Sequence, residues 1–123
     1  MFYGRKGITI CAISVVDLAL WDSLGILRDE PVWQMIGGKV RDEIHFYCTG
    51  PLPVETRKMG FWGSKVPLPF GPGDGHEGLE KNYEYLKKHR DSVPEKFPLM
   101  VDCYMSLNVQ YAIQLAKRCE DLN

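Results

Sequence analysis

The segment that most constrains the fold is residues 97–104, in which an apolar run ends at a carboxylate. A short apolar run bounded by proline is typical of a strand buried on both faces of a parallel sheet. Asp102 then lies at the carboxyl end of that strand, the edge where α/β sheets bind ligands and metals. The residues alone leave two interpretations of Asp102 open: a metal ligand, or an N-cap for the following segment.

The surrounding sequence predicts a repeated strand–helix order from residue 44 onwards. Strands are predicted at 44–49, 63–68 and 97–102, and helices at 54–59, 77–92 and 107–122. This alternation predicts a parallel sheet with crossover helices. Pro67 and Pro69 restrict the second strand to an exposed or terminal position. Asn108 is the expected N-cap of the last helix.

The residues before this repeat predict a helical hairpin over 8–38. Apolar residues recur at helical spacing over 8–27 and cover most of the circumference, which predicts a helix buried among neighbours. Pro31 is expected to open a second helix, which Gly37 and Gly38 end. No apolar run is predicted to be long enough to cross a membrane. The apolar pattern continues past Asp17, which argues against a cleaved signal peptide.

The charge and cysteine content exclude several classes of function. Lysine and arginine number 15 against 16 acidic residues, so the net charge of −1 supplies no basic field for nucleic acid or an anionic membrane. The four cysteines form no C-x-x-C pair, so no zinc knuckle is indicated. Their apolar contexts predict reduced, buried thiols in a cytoplasmic protein.

Lys65 is the second candidate functional residue, because it lies on a predicted strand within an uncharged stretch. One interpretation is a cation that faces an anionic substrate or a metal-bound carboxylate. The other is a charge that protects an edge strand from aggregation.

Two further patterns carry less weight. Residues 73–78 match the G-x-G-x-x-G fingerprint, but Asp74 and Glu77 would repel a pyrophosphate, so a plain loop is favoured. The three histidines, His45, His76 and His89, do not have the spacing of metal ligands. His89 is expected on an exposed helix face.

Two sets of segments resemble a known family. The first set resembles the end of the capping domain in the mandelate racemase branch of the enolase superfamily: residues 12–22, 30–33 and 36–38. The second set is more specific and resembles the L-rhamnonate dehydratase family within that branch: residues 47–51, 59–61, 65–75 and 99–107.

The resemblance implies an α/β fold of two incomplete parts. Residues 1–42 would be the last helices of an enolase-type capping domain, and residues 43–123 the first three βα units of a (β/α)8 barrel. The chain is therefore expected to be a fragment. The resemblance also implies a soluble, cytoplasmic enzyme that is a homo-oligomer when full length.

The resemblance assigns roles to single residues as well. Asp102 would be the first of three carboxylate ligands of Mg²⁺, with the other two on later strands. Lys65 matches the first lysine of the branch's Lys-x-Lys motif and would bind substrate, whereas Pro67 stands in place of the second lysine. Tyr104 replaces an asparagine of many relatives. No catalytic residue is expected in this chain, since the histidine base of the family would follow residue 123.

The implied reaction is dehydration of L-rhamnonate to 2-keto-3-deoxy-L-rhamnonate, a hydro-lyase reaction that begins with removal of the proton next to the carboxylate. This segment alone is expected to be inactive. The alternatives are a non-catalytic truncated remnant of the superfamily, or a dehydratase for a different sugar acid.

Overall fold

The structure is a computed structural model that describes residues 6–50 and 52–122. It divides into two compact units, Met1–Ile44 and His45–Asn123. The sequence places the boundary two residues earlier, and the assignment of the first unit to a capping domain stays a prediction.

The first unit is a helical hairpin, as the apolar periodicity predicts. Helix α1 spans Ile8–Arg28 and helix α2 spans Val32–Met35. Asp29 caps α1 in the left-handed conformation (φ 53°), and its N–H donates to the carbonyl oxygens of Gly25 and Ile26. Gly25 is required there, because a Cβ on it would lie 2.9 Å from the carbonyl oxygen of Glu30. Pro31 is the N-cap of α2 rather than its first helical residue.

The expected burial of α1 is wrong for this unit. Gly25 is the one residue of α1 that is buried, and large apolar side chains such as Leu18 and Leu27 are 68% and 83% exposed. The physical reason is that the described part of the first unit offers α1 little besides the short α2 to pack against. By length and composition, α1 also qualifies as a membrane-spanning candidate, so the expectation that no run is long enough is wrong on this criterion.

The second unit contains the predicted parallel sheet with strand order β1-β2-β3. Strand β1 is Tyr47–Thr49, β2 is Gly63–Pro67 and β3 is Leu99–Asp102. The helices are α3 at Pro53–Lys58, α4 at Gly75–Asp91 and α5 at Val109–Arg118. Short 3₁₀ turns lie at Pro72–Asp74 and Glu120–Leu122.

The helices cover one face of this sheet. Ser64 and Val66, which alternate with Lys65 along β2, are 0% and 4% exposed, and the hydroxyl of Ser64 donates to that of Thr56 on α3 at 3.4 Å. Successive residues of a strand point to opposite faces. Lys65 therefore belongs to the face that these helices do not cover.

The strongest polar link in the core is Asn82, which is fully buried on α4. Its Oδ1 accepts the N–H of Phe70 at 3.1 Å, and its Nδ2 donates to the carbonyl oxygen of Phe70 at 2.9 Å. Nδ2 also donates to the hydroxyl of Tyr111 on α5 at 3.1 Å. Because every polar group of the amide has a partner, Asn82 fixes the loop after β2 and α5 relative to α4.

A second link between α4 and α5 is ionic. The guanidinium of Arg118 makes a bidentate pair with Glu80 at 2.8 to 3.0 Å and lies 3.3 Å from the centre of the Tyr83 ring. The pair raises the pKa of Arg118 and lowers that of Glu80. The hydroxyl of Tyr83 donates to Asp121 at 2.7 Å, so the contact continues into the final 3₁₀ turn.

Several burial expectations fail in the second unit. Strand β3 is not buried on both faces, because it is the outer strand of the described sheet and Val101 is 37% exposed. His89 is 8% exposed instead of lying on the surface, since its side of α4 faces the sheet and its ring meets that of Tyr85 edge-on. The four cysteines are free as expected, but none of them is buried.

Candidate metal and substrate site

The structure brings the two sequence-predicted site residues together. Asp102 is the last residue of β3, as the sequence predicts, and Lys65 is the third residue of β2. The parallel register pairs Lys65 with Met100 and Pro67 with Asp102, so all four lie on one face. The long lysine side chain reaches along the strand direction, and its Nζ lies 3.1 Å from Oδ2 of Asp102.

Strand β2 is the central strand, which decides between the two interpretations of Lys65. A charge that protects an edge strand has no purpose in the middle of a sheet. Its side chain is only 24% exposed, and it is matched by the carboxylate of Asp102, which is 30% exposed. The expectation that Pro67 and Pro69 restrict β2 to an exposed or terminal position is wrong, because β2 is the central strand and is largely buried. Pro67 is tolerated there as the last residue of the strand.

The backbone after β3 holds Asp102 from the other side. The N–H of Tyr104 donates to Oδ1 of Asp102 at 3.0 Å. Tyr104 and Met105 both adopt positive φ, 50° and 58°, which is unusual for residues with a side chain and typical of functional loops. The turn lowers the pKa of Asp102 through this N–H, and Lys65 lowers it further. Asp102 is thus an ionised carboxylate at neutral pH.

Tyr47 is a member of the site that sequence reasoning missed. Nζ of Lys65 lies 5.5 Å from the centre of the Tyr47 ring, within the range of a cation–π contact. Tyr47 pairs with Gly63 in the β1–β2 register, two residues before Lys65 and on the same face. Counting alternate residues along β1 and β2 would have placed it there, but only once the pairing register was known. The hydrogen bond from Lys65 to Asp102 raises the pKa of Lys65, and Tyr47 raises it further.

The site has one group that suits a hard divalent cation, but it lacks a complete set of ligands among the described residues. An ionised carboxylate at an open strand end is a ligand that Mg²⁺ prefers. Residues 6–50 and 52–122 contain no group of three or more histidine, cysteine or acidic side chains that could hold a metal ion. These described residues therefore offer the carboxylate of Asp102 as a possible metal ligand, but not a complete ligand set.

The other candidate residues do not join this cluster. His45 stacks on Trp62, while His76 lies at the start of α4. The G-x-G-x-x-G segment, residues 73–78, comprises the end of the 3₁₀ turn and the first residues of α4, and the N–H of Gly71 donates to Asp74 at 2.8 Å. The segment is therefore a turn that leads into a helix and not a plain loop, and the carboxylates of Asp74 and Glu77 at this helix start would repel a phosphate.

A groove of about 670 Å³ lies between α4 and α5, on the helical side of the sheet. Its lining includes His76, Glu80, Gln114 and Arg118, but neither Lys65 nor Asp102. Its acidic group, Glu80, is already paired with Arg118. The groove is open, and its carboxylate is neutralised within the chain, so the strand-end cluster is the better candidate site.

Comparison with known proteins identifies the relatives of the chain. The chain matches no family model. It is 51% identical over 115 residues to a Caldivirga maquilingensis protein named "Putative L-rhamnonate dehydratase", an alignment that covers 94% of this chain and 29% of the relative. It is also 64% identical to rhamnonate dehydratase from Gibberella zeae, whose crystal structure in complex with Mg matches with a TM-score of 0.95 over 100% of this chain and 30% of that one.

A third, more distant match shares the fold. The crystal structure of 3,6-anhydro-D-galactonate cycloisomerase from Zobellia galactanivorans is 29% identical, with a TM-score of 0.87 over 100% of this chain and 35% of that chain. The α/β fold of this chain, with its three-stranded parallel sheet, thus matches a segment of these sugar-acid enzymes. The chain is homologous to L-rhamnonate dehydratases over 94 to 100% of its length. It spans about a third or less of the length of these relatives.

Proposed function

We propose that this chain is a segment of a magnesium-dependent acid-sugar dehydratase that converts L-rhamnonate into 2-keto-3-deoxy-L-rhamnonate. The observation that carries the proposal is the Lys65–Asp102 pair at the carboxyl edge of the sheet, in a chain 64% identical to a rhamnonate dehydratase crystallised with Mg. In this proposal, residues 1–42 are the last capping-domain helices and residues 43–123 the first three βα units of a (β/α)8 barrel.

Asp102 would supply one carboxylate ligand to the Mg²⁺, and Lys65 would bind the carboxylate of the substrate. A Mg²⁺ ion held there would supply charge stabilisation to the substrate carboxylate, and the neighbouring proton would thereby become more acidic. Removal of the C2 proton and loss of the C3 hydroxyl as water leave an enol, which tautomerises to the 2-keto acid. The base that takes the proton is a histidine outside this chain.

The uncovered face of the sheet supports a barrel interior, because Lys65 and Asp102 point away from the helices that pack on the other side. The exposed apolar surface of α1 is compatible with the same proposal. A helix covered by the rest of a longer polypeptide accounts for that surface without a membrane. In this proposal, the full-length enzyme is a cytoplasmic homo-oligomer and its cysteines are reduced.

One observation favours a second candidate. The 29% identity to a cycloisomerase that acts on another sugar acid indicates that this segment is compatible with more than one substrate. The second candidate is therefore a relative that acts on a different sugar acid. The remnant alternative is also retained for the 123-residue chain by itself, since its described residues offer a single metal ligand.

A segment exchange tests the proposal. This chain replaces the corresponding 30% of the Gibberella zeae enzyme, and the chimera is assayed for Mg²⁺-dependent release of the 2-keto acid from L-rhamnonate and from other sugar acids. We expect turnover of L-rhamnonate, and a loss of at least about 100-fold in the Asp102→Asn chimera. Asp91→Asn on α4 is the matched control and should keep full activity. A folded chimera without turnover of L-rhamnonate overturns the proposal.

A further inference from the structure

Each oxygen of the Asp102 carboxylate has a partner within this chain. Oδ1 accepts the N–H of Tyr104 at 3.0 Å, and Oδ2 lies 3.1 Å from Nζ of Lys65. The ammonium therefore lies on the oxygen that the backbone leaves available. A metal ion that approaches this oxygen meets a positive charge at contact distance.

Neither member of the pair can easily stay without a partner. Their side chains are only 24% and 30% exposed, so each would lose much of its hydration if the other were absent. The pair thus holds the site neutral before a metal arrives. The same contact opposes the metal, because two cations compete for one oxygen.

The ring of Tyr47 offers the ammonium a second partner. It lies 5.5 Å from Nζ of Lys65, on the same face of the sheet and toward β1, away from Asp102 on β3. An aromatic face attracts a cation without needing a hydrogen bond. Lys65 can therefore release Oδ2 while it keeps a favourable contact.

We propose that Lys65 is an internal counter-cation of Asp102, and that a divalent metal gains this ligand by displacing the ammonium toward the ring of Tyr47. This inference rests on the metal role of Asp102 in the proposed function. It adds that the affinity for the metal is set by competition with Lys65 and by the contact with Tyr47.

The test is a titration of the ¹⁵N-labelled 123-residue chain with Mn²⁺, a paramagnetic substitute for Mg²⁺ at oxygen ligands. The readout is broadening of the Tyr104 amide signal, which reports metal at Asp102 without any catalytic assay. We expect Lys65→Met to tighten the apparent Kd at this signal by about fivefold, as for removal of a partly exposed ion pair. Tyr47→Leu should weaken it by about twofold, because the displaced ammonium loses its partner.

Two further variants guard against trivial explanations. Lys65→Arg keeps the positive charge and should not tighten Mn²⁺ binding at Asp102. This variant also keeps the competition testable if Lys65→Met fails to fold. Lys87→Met removes a more exposed ion pair on α4, in which Nζ lies 3.0 Å from Oδ2 of Asp91, and should change broadening near Asp91 but not at Tyr104.

The outcomes separate this inference from the proposed function. If the apparent Kd at Tyr104 is unchanged or weaker in Lys65→Met, the competition is overturned while Asp102 keeps its metal role. The same holds if the apparent Kd is tighter in Lys65→Arg. Absence of broadening at Tyr104 in the wild-type chain and in Lys65→Met overturns the inference, while the segment exchange with Asp102→Asn tests the metal role of Asp102 separately.

Discussion

Replacing Asn82 by alanine tests how the second unit is held together. The substitution removes three hydrogen bonds: two with the backbone of Phe70 and one with the hydroxyl of Tyr111. A hydrogen bond contributes about 0.5–1.5 kcal/mol net, and each buried group left without a partner adds a further cost. Since Asn82 is fully buried, we expect the free energy of unfolding of this unit to fall by about 3 kcal/mol.

The assay is urea unfolding followed through the amide signals of α4 and α5. Tyr111→Phe is the matched control, because it removes only the hydrogen bond at 3.1 Å and should cost about 1 kcal/mol. The amide of Phe70 should also exchange faster with solvent in Asn82→Ala but not in Tyr111→Phe. A loss below 1 kcal/mol in Asn82→Ala, with protection of the Phe70 amide unchanged, would refute the reasoning.

Two further predictions concern α4 and the candidate site. Gly78→Ala should destabilise the second unit by about 1–3 kcal/mol in urea unfolding, because the new Cβ would overlap the side chain of Asp74, whereas Gly73→Ala meets nothing within 4 Å and should be near neutral. The N–H of Tyr104 and the ammonium of Lys65 lower the pKa of Asp102 below its ordinary 3.8. The ionised carboxylate therefore stabilises the folded state fully above pH 3.8. This contribution is lost as the pH falls through the lowered pKa. Urea midpoints measured from pH 2 to 7 should therefore converge for the wild type and Asp102→Asn at the acid end; a constant difference would contradict the assignment.

The strand-end position of Asp102 was predictable because it depends on local sequence. An apolar run that stops at a carboxylate specifies both the strand and its end, and the alternation of elements specifies a parallel sheet. The proximity of Lys65 follows from the same logic, since the carboxyl ends of adjacent parallel strands share one edge. The cap of α5 was equally local: Oδ1 of Asn108 accepts the N–H of Tyr111 at 2.8 Å.

The features that the sequence did not predict depend on distant partners. Nothing near Asn82 indicates that its amide will meet Phe70 and Tyr111, which lie 12 and 29 residues away. The burial of His89 was missed for a related reason: its charged neighbours suggest a surface, while the helix rotation turns its side chain toward the sheet. Periodicity likewise predicts which side of α1 is apolar but not whether anything covers it.

The left-handed pair Tyr104 and Met105 has a consequence for how the site assembles. By directing an amide at Asp102, this turn selects one rotamer of the carboxylate before any ligand is present. A cation that binds there does not have to freeze that side chain, so the entropic cost has already been met during folding. Changes in the length of this turn should consequently alter metal affinity even when every ligand is retained.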